Sequence, residues 1–532
     1  MPITKSRWLP FVLVMLIALI GRVLLLASDS VSFHSDEAIV GLMARHILAG
    51  ERPTFFYGQA YMGSLDAWLV AMGFRLFGES VTTIRLVQSA LYLLVVASAY
   101  AAAWALTRSH TATVVTMLTF AIGSPLLTLY TTATLGGYNE TLLFGHLLVA
   151  IGVDLGEQDN DLSNKHLLWL ALGLTAGIGW WTNALIVVYA LPVGIWLLLQ
   201  LRARVLPGAL IALVGFVIGS APWWVYALQN DLAPLRFFLP DVLGGRETVG
   251  AVIPSVPFDQ RLFGLLLFGL PSVTGLRFPW SGEFFAPVVG LVVAAVFAVA
   301  LYQLARRGDM AQRVISFGMI AFLCALFLLT RFSSDPSGRY FLPLTLPFGV
   351  ALGLWVAGIP RPLKSVENRF SVAAALVVLV LGYFAAGQIS AARAPLGFTT
   401  QFVAQTHLPN TDDAALIAWL NENDIQHGYT TYWISFRLAF LSAERIQLSA
   451  ALPDKSDLAY TPAFERYALY RTATDAAQNI AYITANIPEL EGALEAWFVD
   501  SGTRYQVAQV GIYRIYYDFE PTTPRPPLPF IN

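Results

Sequence analysis

Asp36 and Glu37 stand side by side in the stretch FHSDEAI, residues 33–39, of a 532-residue chain that is only 12% charged. An apolar run at 9–27 ends a few residues earlier and is long enough to cross a bilayer. Adjacent carboxylates in that place are either machinery for a reaction or a device for starting a helix. Ser35 is placed to cap a helix beginning at Asp36. Acids in a first turn stabilise it by ~0.3–1 kcal/mol each. Two adjacent residues do not share a helix face, so at most one of the pair points into any given cavity. The residues alone leave both readings open.

The elements that must hold this pair are membrane helices. Hydrophobic residues make up 56% of the chain, and its mean hydropathy is +0.62. Repeated long apolar runs therefore predict a polytopic α-helical membrane protein. The runs fall near 9–27, 84–106, 112–130, 140–155, 167–182, 184–201, 206–228, 284–304, 314–331, 340–358 and 371–391, which gives about eleven spans. The piece at 261–275 contains Gly and Pro and is read as interfacial, with a twelfth span as the alternative. The N-terminal run is read as an uncleaved first helix, since no small-residue cleavage site follows it cleanly. Cys324, the one cysteine, lies inside an apolar run, which excludes disulfides and cysteine metal sites. A net charge of −2 gives no hint of nucleic-acid binding.

Basic residues set the expected orientation. With a cytoplasmic N-terminus, every inner loop carries Lys or Arg, for example Arg108, Lys165, Arg202 and Arg306. The expected location is the plasma (inner) membrane. The first outer loop (28–83), a large outer loop (229–283) and the C-terminal region then lie outside. The expected domains are a membrane domain at 1–392, an extracytoplasmic α/β domain at 393–520 and a proline-rich tail at 521–532. In the α/β region, DDAALIAWLNEN and PELEGALEAWFVDSG read as helices. GYTTYWI (428–434), RIQLSA, NIAYITA, TRYQVAQV and GIYRIYYDF read as strands. In the first outer loop, two helices are expected to lie flat at the membrane surface, the second capped by Ser64. The aromatic stretch PTFFYGQAYMG, with Tyr57 and Tyr61, lies between them.

An N-terminal helix, an Asp-Glu pair in the loop just past it, about eleven spans and a C-terminal α/β domain together resemble the GT-C superfamily. These are integral-membrane glycosyltransferases that use polyprenyl-phosphate sugars. The branch most similar is that of the protein mannosyltransferases and aminoarabinose transferases. SDEAIVGLMARHILAG followed by YGQAYMGSLDAWL carries the resemblance, and RYFLPLTLPFGV (339–350) adds a weaker match. The resemblance implies that Asp36 is the catalytic base, with Glu37 as backup. A neutral hydroxyl attacks poorly, and a carboxylate in reach gives ~10²–10⁴-fold in rate. The implied substrates are a polyprenyl-phosphate sugar and a hydroxyl on a glycan, lipid or protein, joined by a single inverting displacement.

The departing phosphate then needs a cation. Arg339, beside Tyr340, leads; Arg85 is weaker, and a guanidinium fork suits phosphate oxygens. The competing reading is that such arginines anchor helix ends by snorkelling. His34 has two possible uses, a phosphate contact or a metal ligand. Asp66 and Glu140 are further outer acids; Glu140 either orients the sugar or starts its helix. No tightly bound metal or other cofactor is expected.

Two signals are set aside. Asp159-Asn160-Asp161 fits D-x-D but sits on an expected cytoplasmic loop without a nucleotide-binding sheet. The WWDYG signature of oligosaccharyltransferases is missing; WWTN (180–183) and YWISF (432–436) only look like it. Two other functions stay in view: a transporter or flippase of lipid-linked glycans, and a non-catalytic glycan-assembly subunit with the same fold.

Overall fold

The computed structural model describes residues 8–157, 165–238, 256–358 and 367–520. The D-x-D triplet and the proline-rich tail lie outside the described residues. The chain divides into two compact units. One comprises residues 1–31, 85–230 and 253–400, and the other 32–84, 231–252 and 401–532. Most of the first outer loop, residues 32–84, shares a unit with 401–532.

The first unit is helical. Among the described residues, seven helical stretches are long and apolar enough to cross a membrane. Of the other expected spans, 140–155 lies in a continuous 20-residue helix, Tyr138–Glu157, and 167–182 in the 17-residue helix His166–Thr182. The run at 112–130 breaks into His110–Ala121 and Pro125–Tyr130. Gly123 sits at the break with φ +50°, and Ser124 Oγ accepts from the Leu127 N–H to cap the second piece. The ambiguous stretch 261–275 lies largely in a continuous helical segment, 258–273, with a wide π turn at Gly264–Gly269. Small residues set the closest helix contact. A Cβ on Gly173 would lie 1.9 Å from the Ala212 carbonyl oxygen, and one on Gly215 would lie 2.5 Å from that of Leu170. The backbones of His166–Thr182 and Val205–Gly219 therefore touch directly, as small residues four apart permit in membranes.

The spans are less free of charge than the sequence suggests. Arg22, in Leu9–Ala27, is 4% exposed. It donates to the Thr131 and Thr132 hydroxyls and lies 3.9 Å from the Tyr92 ring centre. Such a group persists in an apolar helix only when its donors are met.

The second unit is built on a five-stranded mixed sheet. Its strands are β3 (His427–Thr431), β4 (Gln447–Leu452), β5 (Ile480–Ala485), β6 (Arg504–Val510) and β7 (Tyr513–Glu520). Their spatial order is β4-β3-β5-β7-β6. β3 is parallel to β4 and β5, while β7 is antiparallel to β5 and β6. Alternate residues of β5 feed two cores: Ala481, Ile483 and Ala485 join Leu416, Leu420 and Leu438, while Ile480 and Tyr482 join Leu490, Leu494 and Phe498. Helices therefore cover both faces, and β5 reads as a continuous apolar run for that reason.

The loop segment 32–84 adds the helices Ser35–Ala49 and Leu65–Phe77 and a hairpin of β1 (Phe55–Phe56) and β2 (Gln59–Gly63). Ser35–Ala49 is buried at eleven positions, against Leu65–Phe77 and Tyr432–Leu441, rather than along one stripe. Neither expected serine cap forms. Ser35 Oγ donates to the Tyr432 carbonyl (2.6 Å), and Ser64 Oγ donates to the Pro53 carbonyl. His34 occupies the N-cap position instead, with an extended backbone.

Candidate active site

The Asp-Glu pair opens Ser35–Ala49 as expected, and helix geometry separates the two acids. Asp36 is half-buried, whereas Glu37 is 0% exposed. Only Asp36 offers a carboxylate to a substrate. The backbone ahead of it is clamped by one amide. Asn410 Nδ2 donates to the Phe33 carbonyl (2.9 Å), and the Phe33 N–H donates to Asn410 Oδ1 (3.1 Å). The carboxylate is then aimed by Tyr432, whose hydroxyl donates to Asp36 Oδ1.

Tyr432 is held from several sides. It is 1% exposed, stacks on Phe464 at 4.7 Å and meets Trp433 and Phe436 edge-on. The Arg466 guanidinium lies 5.6 Å from its ring centre. The Gln59 amide oxygen, turned toward that guanidinium, lies 2.7 Å from both its Nη atoms and 3.1 Å from the Tyr61 hydroxyl. Burial, reinforced by the Asp36 charge, raises the Tyr432 hydroxyl well above its ordinary range against the pull of Arg466. It therefore stays a donor. Trp433 continues the site: its ring meets His34 at 6.3 Å, and its Nε1 donates to Asp454 Oδ2 (2.9 Å).

A second polar cluster in this unit ties Ser35–Ala49 down further along. His46 bridges the Tyr57 hydroxyl (2.8 Å) and Glu444 (3.0 Å). Glu444 also accepts from Tyr470 (2.6 Å) and Arg45 (3.1 Å). Burial pushes the Glu444 carboxyl up, but its hydrogen bonds from His46, Tyr470 and Arg45 outweigh that and lower it to about 2. Tyr57 also donates to Glu51 (2.7 Å). The structure thus ties Tyr57 to this cluster, Tyr61 to Gln59 and His34 to Trp433. Asp66 is 3% exposed in the first turn of Leu65–Phe77.

In the helical unit, polar groups gather around Asp335. Arg339 Nη2 pairs with it at 2.6 Å and reaches the Tyr340 hydroxyl at 3.4 Å. Tyr138 lies within electrostatic reach of Arg339, Tyr340, Tyr130 and Asp335. Arg277 bears on the same Tyr130 and Asp335. It is wholly buried and donates to the Pro336 and Ser281 carbonyls and to Ser272 Oγ (2.9 Å). The Arg339 side chain is half-buried. Arg85 instead donates to the Val31 carbonyl at 3.3 Å and is 7% exposed. Glu140, 1% exposed, lies in the first turn of Tyr138–Glu157. Among the described residues, no three His, Cys, Asp or Glu side chains converge as a metal ion would require.

The sequence reading missed Tyr432, Arg466, Arg277 and Asn410. All four lie far along the chain from the groups they serve, and a single sequence carries no signal of such pairings.

No protein-family model matches the chain, and no curated protein matches it. Solved structures do. ArnT from Cupriavidus metallidurans, bound to undecaprenyl phosphate, superimposes with a TM-score of 0.61 at 15% identity, over 98% of this chain and 100% of that one. The arabinofuranosyltransferase AftD from Mycobacteria gives 0.51 at 14% identity, over 95% of this chain and 41% of that one. The archaeal oligosaccharyltransferase AglB from Archaeoglobus fulgidus, in complex with an inhibitory peptide and a dolichol-phosphate, gives 0.50 at 13% identity, over 89% and 70%. The chain therefore shares the fold of these solved structures.

Proposed function

We propose that the protein is a membrane glycosyltransferase that moves one sugar from a polyprenyl-phosphate donor to a hydroxyl acceptor outside the cytoplasm. The observation that carries this reading is Asp36: a half-exposed carboxylate at a helix start, aimed by a buried tyrosine hydroxyl. The fold shared with ArnT and AftD supports it.

Asp36 accepts the proton of the acceptor hydroxyl as that oxygen forms its bond to the anomeric carbon. The bond from that carbon to the phosphate oxygen breaks, and its electron pair leaves with the phosphate. A cation must receive the added negative charge, and Arg339 is the candidate for it. One displacement inverts the anomeric centre. A lipid phosphate leaves readily, so no strong acid is needed.

The test is mass spectrometry of glycans and lipids from cells with and without the gene, followed by rescue with Asp36→Asn. The knockout should lose one glycosylated product and accumulate the lipid-linked donor, and Asp36→Asn should fail to restore either. A normal profile in the knockout overturns the enzyme reading. Rescue by Asp36→Asn favours the non-catalytic assembly role.

A further inference from the structure

We propose that Tyr432 is a positioning residue for sugar transfer: the C-terminal α/β fold, through this hydroxyl and Arg466 behind it, aims the carboxylate of Asp36. This inference rests on the proposed role of Asp36 as the base. It also gives the α/β region a part in the chemistry, beyond support or acceptor recognition.

Four observations converge on it. First, the hydroxyl donates to one oxygen of Asp36, and one anchored oxygen leaves the other for the acceptor proton. Second, the ring has no freedom to carry the hydroxyl elsewhere. Phe464 stacks on it, Trp433 and Phe436 abut it edge-on, and its own carbonyl accepts from Ser35, the residue before Asp36. Third, Arg466 bears on the Tyr432 hydroxyl, and Gln59 holds Arg466. A cation acting on a hydroxyl polarises it and strengthens the bond it donates. Fourth, the location is general: Tyr432 opens the helix that follows the parallel strand β3, and parallel sheets place their working groups just beyond the carboxyl ends of strands.

A base must be held within a fraction of an ångström of its proton, and small misplacement costs up to about 100-fold in rate. Removing the bond therefore changes the chemical step, while substrate binding stays as it was.

The experiment uses the full-length chain purified in detergent, with the donor lipid that accumulates in the knockout cells as substrate. Tyr432→Phe keeps the ring and its packing. It should lower kcat roughly 10- to 100-fold with KM within about twofold. Binding of undecaprenyl phosphate, used as a probe, should be unchanged. Arg466→Gln removes a half-buried cation without touching the core, and should lower kcat about 10-fold with KM again unchanged. Adding Tyr432→Phe to Asp36→Asn should cost nothing further, because the tyrosine acts only through that carboxylate. A wild-type kcat in Tyr432→Phe overturns the inference, as does a full additional loss on top of Asp36→Asn. Near-normal transfer by Asp36→Asn alone overturns the underlying role of Asp36 instead, so the two failures are distinguishable.

Discussion

Asp36 and Glu37 differ by one position and by everything that decides chemistry. A helix turns by about 100° per residue, so one acid keeps some exposure while the other is fully enclosed. The same reasoning separates the two histidines, His34 beside Trp433 and His46 locked between Tyr57 and Glu444. Glu444 supplies a prediction at this scale. Its carboxyl is lowered to about 2 in the folded chain from an ordinary 4.5, so it stabilises the fold fully above that ordinary value and loses the contribution as pH falls toward 2. Glu444→Gln should lower the melting temperature at pH 7, and the gap to the wild type should narrow between pH 5 and pH 2. A gap independent of pH would contradict the charge-based account. Sequence reading found the acid pair because a carboxylate is conspicuous in an apolar chain. It could not find Tyr432, because an aromatic residue among YWISF looks like ordinary core.

Elements show where local preference yields to packing. Tyr, Trp and Ile favour strands, so GYTTYWI reads as one strand through residue 434. The strand ends at Thr431 and the helix begins at Tyr432, which puts the tyrosine at a strand-to-helix turn. The two loop helices are expected from the sequence to lie flat at the membrane surface. Ser35–Ala49 is instead enclosed, and a Cβ on Gly41 would come within 2.6 Å of the Phe440 ring. In the helical unit, the long apolar helices were legible from length and composition, but their contacts were not. Gly173 marks the tightest, its place for a Cβ taken by the Ala212 carbonyl. Gly173→Leu should push the two helices apart and sharply reduce the yield of folded protein by size-exclusion chromatography. Gly21→Ala, with nothing within 4 Å of the added carbon, should be neutral. Equal yields from both would contradict direct backbone packing.

At the scale of the whole chain, the repeated long apolar runs carried the polytopic helical class, and solved structures share the fold at 15% identity. The grouping of 32–84 with 401–532 was not legible, since it joins segments more than 300 residues apart. The orientation argued from basic loops has its own test. Val507 is 45% exposed on strand β6. A Val507→Cys variant in a Cys324→Ser background should react with an impermeant maleimide in intact, wall-stripped cells. Protection until the membrane is opened would reverse the topology. The account as a whole turns on one carboxylate. Its most direct test is the rate of sugar transfer by purified Asp36→Asn against the wild type, with the accumulated donor lipid as substrate. A fall of about 10²- to 10⁴-fold, with donor binding intact, is predicted; a rate within a few fold of the wild type would contradict the claim that Asp36 takes the acceptor's proton.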